Sequence, residues 1–293
     1  MITELTQGAA RARLAPHLGG RVTSLRLAPE GGTAVEVLLP FPEDTTDLLR
    51  WPKGGIYPLM PYSGRIRDSR LQGGHGVVVL QAYPDTAPHT LHGSAHRHPW
   101  RLLDATPSAA GMVYDHPGDA EWPWAFHTEV RLALRAPGLC EMAFSLENTA
   151  ATAAPAGLGL HPFFAAPPGS RLRLSAGREW PLDALGLTGA APTAGAAWDG
   201  ALTGPVTRQL SDWGGEAGLA LPGGMELVLT ASKALDHLVL HRPAGVDFLC
   251  LEPVSHVVDG FNLAAQGATD TGAIWLPPGG TISASITIAL RRA

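Results

Sequence analysis

Residues 139–164 read LCEMAFSLENTAATAAPAGLGLHPFF, and this stretch decides the fold class. Leu139, Cys140, Met142, Phe144 and Leu146 largely alternate with Glu141, Ser145 and Glu147. That is the period-two pattern of a strand with one buried face. The run breaks at Asn148-Thr149 into a loop of small residues and resumes through Gly157-Leu158-Gly159-Leu160. It ends on His161, followed by Pro162 and the Phe163-Phe164 pair. A histidine delivered at the end of an apolar strand, with proline fixing its exit, is either a satisfied core residue or a proton donor set in place for chemistry.

Working outward, the same short strands recur. Arg11–Leu14, Arg21–Leu27 and Ala34–Leu39 are punctuated by Gly19-Gly20 and Gly31-Gly32, as hairpin breaks require. Val77–Gln81, Trp100–Leu103, Gly111–Asp115 and Phe126–Leu134 precede the opening stretch. Leu172–Leu174, Leu219–Leu221, Met225–Ala231, Leu235–Leu240 and Phe248–Glu252 follow it, and TISASITIAL at 281–290 closes the series. Residues 40–56 read as an acidic, then aromatic, loop, and 182–205 as a long Ala/Gly/Pro-rich stretch in which only Leu182–Leu187 is expected to hold a helical turn. The 35 glycines and 26 prolines are spread along the whole chain and call for many turns. Strands recurring every ~8–15 residues predict an all-β sandwich or barrel. No linker composition and no fixed-period repeat divides the chain, so one domain over 1–293 is expected.

A net charge of −5 offers no basic footprint for nucleic acid and no polybasic patch for a membrane surface. Cys140 and Cys250 sit in apolar runs and read as buried thiols of a reducing compartment. The N-terminal residues lack a signal-peptide core, and no apolar run approaches ~18 residues, so a cytoplasmic location is expected.

Five sites carry possible chemistry. Arg65, in Ser63-Gly64-Arg65-Ile66, can present its planar fork to a carboxylate or paired hydroxyls, or bridge loops. His89, His92, His96 and His98 crowd one ten-residue loop. Without a cysteine or a nearby carboxylate they lack the ligand grammar of a zinc site, and neutral imidazoles bonding to a polar ligand are expected instead. His161 is the third site. Glu252 closes an apolar strand before Pro253 and is either paired for structure or kept partly desolvated as a base. Asp259-Gly260-Phe261-Asn262 reads as a turn whose side chains cap backbone. There is no Walker loop, no G-x-G-x-x-G and no G-x-S-x-G elbow, which leaves nucleotide chemistry and serine hydrolysis without support.

Taken in order, these pieces resemble the aldose 1-epimerases, or galactose mutarotases, together with the hexose-phosphate epimerase-like proteins. The resemblance is carried by Gly19–Leu25, Pro61–Ile66, Leu91-His92-Gly93 with Trp100, Asn148 through His161-Pro162-Phe163-Phe164, and Leu251-Glu252-Pro253 with Asp259–Asn262. It spans roughly residues 10–290. It implies a large antiparallel β-sandwich and an isomerase without cofactor or metal, acting on a monosaccharide as a monomer or homodimer. In that family's terms Glu252 is the base at the C1 hydroxyl, His161 the acid at the ring oxygen, and Arg65 and His92 bind hydroxyls. Many members carry asparagine before the arginine, where Ser63-Gly64 stand here. For the family's sugar-binding aspartate, Asp199 is the best candidate by position, ahead of Asp212 and Asp236, and His89, His96 and His98 are available to replace lost contacts. Two other readings stay open: a sugar-phosphate epimerase using Arg65, Arg67, Arg70 and Arg97, and a carbohydrate-binding module without turnover.

Overall fold

In the strand Leu139–Asn148 every second side chain, from Cys140 through Met142, Phe144 and Leu146 to Asn148, is buried. The neighbouring strands Phe126–Ala136 and Thr281–Arg292 repeat the pattern, with Val130, Leu132 and Leu134 on one and Ile286, Ile288 and Leu290 on the other. The register sets Val130 opposite Phe144 and Phe144 opposite Ala284, so the inward residues form continuous rows. Each large apolar side chain so buried contributes about 1.5–3 kcal/mol. The computed structural model describes residues 1–49, 53–73, 76–189 and 191–293. The loop expected over 40–56 and the stretch 182–205 each include positions, 50–52 and 190, outside the described residues.

These strands belong to a nine-stranded sheet that runs from Arg101–Ala105 at one edge to Ala197–Ala201 at the other. An eleven-stranded sheet packs against it through a shared apolar core. Its middle runs in the order Arg21–Leu27, Ile56–Pro58, Leu160–Ala165, Phe248–Val254, His237–Arg242, Val206–Ser211. All pairings in both sheets are antiparallel, and of the sandwich and barrel that the strand pattern allows, the fold is the sandwich, as the family resemblance implies. Among the described residues no helix is long and apolar enough to cross a membrane.

The middle strands of the larger sheet are buried on both faces. One parity, with Ile56, Leu160, Phe164, Leu249 and Leu251, faces the shared core. The other, with Tyr57, Phe163, Phe248 and Cys250, forms a separate apolar cluster on the opposite face. Strands covered on both sides read as continuous apolar runs rather than alternating ones.

Three local readings change. Leu182–Leu187 is a hydrogen-bonded turn, closed by Gly186 N–H donating to Asp183 O, and holds no helix. The α-helix among the described residues is instead Gly260–Ala265, too short for its period to show in sequence. His161 and Glu252 do not end their strands: His161 is second in Leu160–Ala165, and Glu252 is fifth of seven in Phe248–Val254. The two strands pair at Gly159–Val254 and again from Phe163–Cys250 onward, with no ladder pairs between. That gap holds Pro162 and Pro253, which have no N–H to contribute. Proline here interrupts a ladder instead of terminating a strand.

Asn148, where the opening strand breaks, is buried and fully bonded. Its Nδ2 donates to Thr152 O at 2.9 Å and Leu276 O at 2.8 Å, and its Oδ1 accepts from Ala150 N–H at 3.0 Å. Asn148→Ala should cost about 3 kcal/mol, roughly one per bond, read as a lowered midpoint in urea unfolding.

Candidate active site

The side chains on the outer face of the larger sheet form a row perpendicular to the strands. Register places His161 opposite Tyr57, Val239 opposite Glu252, Gln209 opposite Val239, and Trp180 opposite Gln209. His161 and Glu252 meet across the ladder gap, Nε2 to Oε1, at 3.3 Å. The imidazole packs against two rings, Tyr57 at 4.7 Å and Phe163 at 4.6 Å, which themselves lie 6.3 Å apart. An ionisable pair thus lies at the floor of an otherwise apolar wall.

Both groups are about 2% exposed, and burial decides their charge. It pushes the Glu252 carboxyl well above the usual carboxylate range. It holds His161 well below the usual imidazole value, with His92, His241, Arg21 and His96 acting in the same direction. The favoured state is a neutral imidazole beside a protonated carboxyl, one proton between two bases. Glu252 Oε2 has no hydrogen-bond partner among the described residues.

The loop carrying Arg65 fixes two more imidazoles. Gly64 N–H donates to His92 Nδ1 at 3.0 Å, and Asp68 N–H donates to His89 Nδ1 at 2.9 Å. A nitrogen that accepts from a backbone N–H carries no proton, so in each neutral ring Nε2 bears the hydrogen and is a donor. His92 stands edge-on to His161, ring centres 5.5 Å apart, and its backbone is left-handed at φ 59°. Such conformations in non-glycine residues are held by their surroundings. Gly93 follows at φ 66°, where a Cβ would lie 2.2 Å from Met60 O. Burial, then the Arg65 charge, lowers His92 to about 3. One ligand atom each from His92, His161 and Glu252 lie within 4.8 Å of one another, a spacing that suits a metal ion. The His92 tautomer opposes that use, because its remaining nitrogen presents a proton and not a lone pair.

Asp259 and Asn262 hold this loop from behind. Asp259 Oδ1 accepts from Arg67 N–H and Asn262 Nδ2, while Asn262 Oδ1 accepts from Gln72 N–H and its Nδ2 also donates to Arg70 O. The backbone-capping role read from sequence describes what they do.

The row opens into a cleft of about 800 Å³, lined by Arg65, His89, His92, His161, Gln209, His241 and Glu252, with Asp68, Asp85 and Asp183 also on its wall. Gly186, at φ 70°, lies against Arg65, and a Cβ there would come within 2.6 Å of its Nη1. The structure therefore brings together His161, Glu252, Arg65 and His92, and adds His89.

Two expected ligands stand elsewhere. His96 is buried behind Tyr57, ring centres 5.0 Å apart, and does not line the cleft. Asp199 lies on the edge strand Ala197–Ala201 of the other sheet, 79% exposed and 3.7 Å from Arg171. A carboxylate there is solvated and cannot reach the cleft. Asp212 is paired with Arg178, and Asp236 likewise lies off the cleft. His98 bonds to Glu121.

Gln209 was not singled out from sequence. It is 1% exposed, its Oε1 accepts from Val258 N–H at 3.3 Å, and its Nε2 has no partner among the described residues. Gln209 lines the cleft, two strands from Glu252. Within VTRQLS the only signal is a polar residue beside the buried Leu210.

With this geometry in place, comparisons identify the class. The family model described as aldose 1-epimerase matches residues 1–287. The chain belongs to the aldose 1-epimerase family. It is 26% identical over 257 residues to an uncharacterized Escherichia coli K12 protein, YphB, covering 80% of this chain and 86% of that one. Among solved structures it resembles a candidate aldose 1-epimerase from Escherichia coli K12 at TM-score 0.85 and 19% identity, covering 100% of this chain and 99% of that chain. It also resembles a galactose mutarotase-like protein from Clostridium acetobutylicum at TM-score 0.81 and 18% identity, covering 99% and 95%. At these identities the structures establish the fold.

The tautomer assignment is directly measurable. Long-range proton–nitrogen correlation at pH 6 should show the His92 ring neutral with the proton on Nε2; a protonated ring or an Nδ1–H tautomer would contradict it.

Proposed function

We propose that this protein interconverts the α and β anomers of a neutral hexose by acid–base ring opening. The observation that carries the reading is the desolvated His161–Glu252 pair, 3.3 Å apart at the floor of a cleft with ample room for a monosaccharide. A module that only bound sugar would have no use for such a pair, and leaving it buried is costly.

In the productive distribution the proton sits on His161 and Glu252 is ionised. Glu252 takes the proton of the C1 hydroxyl while His161 gives its own to the ring oxygen. The C1–O5 bond breaks and C1 becomes a carbonyl. Rotation about C1–C2 turns the aldehyde, and the two transfers reverse on its other face. His92 Nε2–H and Arg65 stabilise negative charge at the sugar oxygens. The products of ring opening, a neutral imidazole and a protonated carboxyl, are the state that burial favours. Microscopic reversibility needs a pair that tolerates both distributions, and groups sharing one proton at 3.3 Å satisfy it.

The cleft favours an unphosphorylated sugar. Among the described residues that line it Arg65 is the one Lys or Arg, against Asp68, Asp85 and Asp183. Of the other cations considered for a phosphate, Arg67 pairs with Asp183 and Asp259, and Arg97 is buried against Glu121. Gln209 Nε2 is assigned to a hydroxyl at the ring edge away from C1.

Polarimetry of fresh α-D-glucose and α-D-galactose tests the activity; decay at the buffer rate across a panel of aldoses would remove it. Glu252→Gln should lower kcat by about 10²-fold or more. Gln209→Leu should raise KM about tenfold with little change in kcat, the scale of one neutral hydrogen bond. The pH profile follows from the signs of the two shifts. His161, lowered, gains a second proton for the pair only below its ordinary range, and Glu252, raised, loses the last proton only above its own. The profile of kcat/KM should therefore stay flat from about pH 5 to 6.5, the interval in which an exposed imidazole would titrate.

A further inference from the structure

The row that carries His161 and Glu252 continues beyond Tyr57 to a residue with no part in the scheme above. Arg21 begins the strand Arg21–Leu27, whose next residue, Val22, pairs with Ile56 beside Tyr57. Its side chain is fully buried. The guanidinium lies between two rings, 4.1 Å from the Phe41 centroid and 4.5 Å from that of Tyr57. Its polar contacts are long ones to carbonyls, Nε to Leu18 O at 3.4 Å and Nη1 to Gly54 O at 3.3 Å. Among the described residues no carboxylate lies within ion-pair distance of it. Burial lowers it to about 10, so it stays a cation at neutral pH. A buried charge without an anion is costly, and packing alone would be served by an apolar side chain.

The far face of Tyr57 explains its placement. His161 stacks there at 4.7 Å, so guanidinium, phenol ring, imidazole and carboxyl follow one another along the row. We propose that Arg21 is a positioning residue for the acid–base pair: held against Tyr57 in line with His161, it supplies a standing charge that biases where the pair keeps its proton. The proposal rests on the epimerase reading of the site.

The other groups facing His161 do not supply that charge. Tyr57 comes from the strand Ile56–Pro58, and Phe163 from the histidine's own strand. His92 follows the strand Thr90–Leu91, His96 lies behind Tyr57, and His241 stands on the neighbouring strand His237–Arg242. Burial holds all three of these imidazoles below their ordinary value, hence neutral at pH 7. Glu252 is itself the partner. Arg65 acts on His92 and His241, Arg97 on His92 and His96, and Lys53 on His241. Among the described residues Arg21 is the permanent cation that acts on His161. Its charge opposes a second positive charge on the imidazole, which discourages idle protonation and makes protonated His161 a readier donor to the ring oxygen.

Two ring-to-ring steps put the charge about 9 Å from the imidazole, and at an effective dielectric of ~20 this corresponds to about one pH unit. In Arg21→Met, the NMR titration midpoint of His161 and the acidic limb of kcat/KM should therefore both move up by about one unit, with KM unchanged. Arg21→Lys, which keeps the charge, should restore both. A folded Arg21→Met with neither shifted, or a lysine variant shifted as far as the methionine one, would overturn the proposal. Should Arg21→Met fail to fold, Phe41→Glu leaves Arg21 in place and sets a carboxylate against it. The same upward shift is then expected, and its absence counts against the proposal. The NMR midpoint separates the two claims: if no sugar is turned over but the midpoint moves, the epimerase reading fails and the coupling stands.

Discussion

A carboxyl and an imidazole 3.3 Å apart, both out of water, can hold one proton comfortably and neither zero nor two. The rest of the structure is arranged around that limit. Removing the pair from solvent takes two sheets, because the strands that carry it must be covered on both faces. One face is closed by the sandwich core and the other by Tyr57, Phe163 and the loops around the cleft. Prolines beside both residues keep the backbone ladder open where the side chains meet. The charge economy of the surroundings follows the same rule, with imidazoles kept neutral and Arg21 as the standing cation in line with the pair.

Direction is supplied by backbone. The N–H groups of Gly64 and Asp68 leave His92 and His89 with one available role, donation from Nε2. The loop that carries them is held in turn by Asp259 and Asn262, which accept from Arg67 N–H and Gln72 N–H and lie nearly 200 residues away in the chain. Polar hydrogens are thereby aimed into the cleft before any ligand arrives, which is the preorganisation that electrostatic stabilisation requires. This also accounts for a cluster with the composition of a metal site presenting protons where a metal would need lone pairs.

Much of this could be read from the chain, and the limits have physical causes. His161, Glu252, Arg65 and His92 stood out because a polar residue inside an apolar, proline-bounded segment is expensive unless it is used. Asp199 misled because edge-strand carboxylates and site carboxylates look alike in sequence; only register distinguishes them, and register is non-local. Gln209 was missed for the same reason: its significance lies in two cross-strand pairings, neither visible within VTRQLS. His96 shares a loop with His92, but the short 3₁₀ turn at Ala95–Arg97 carries it behind Tyr57. The helix Gly260–Ala265 has under two turns, too few for a period to emerge.

The row perpendicular to the strands has a bearing on how the molecule is made. Residues 21, 57, 161, 209, 239 and 252 become neighbours only when strands from both halves of the chain have paired, and such distant pairings form late because loop closure must come first. A nascent chain that ends before Phe248 has built most of the smaller sheet's inner strands, yet it lacks the carboxyl on which the row depends. Competence at this site therefore arrives with the last strand of the larger sheet and has no partial form, while the smaller sheet still waits for Thr281–Arg292 to join its two halves.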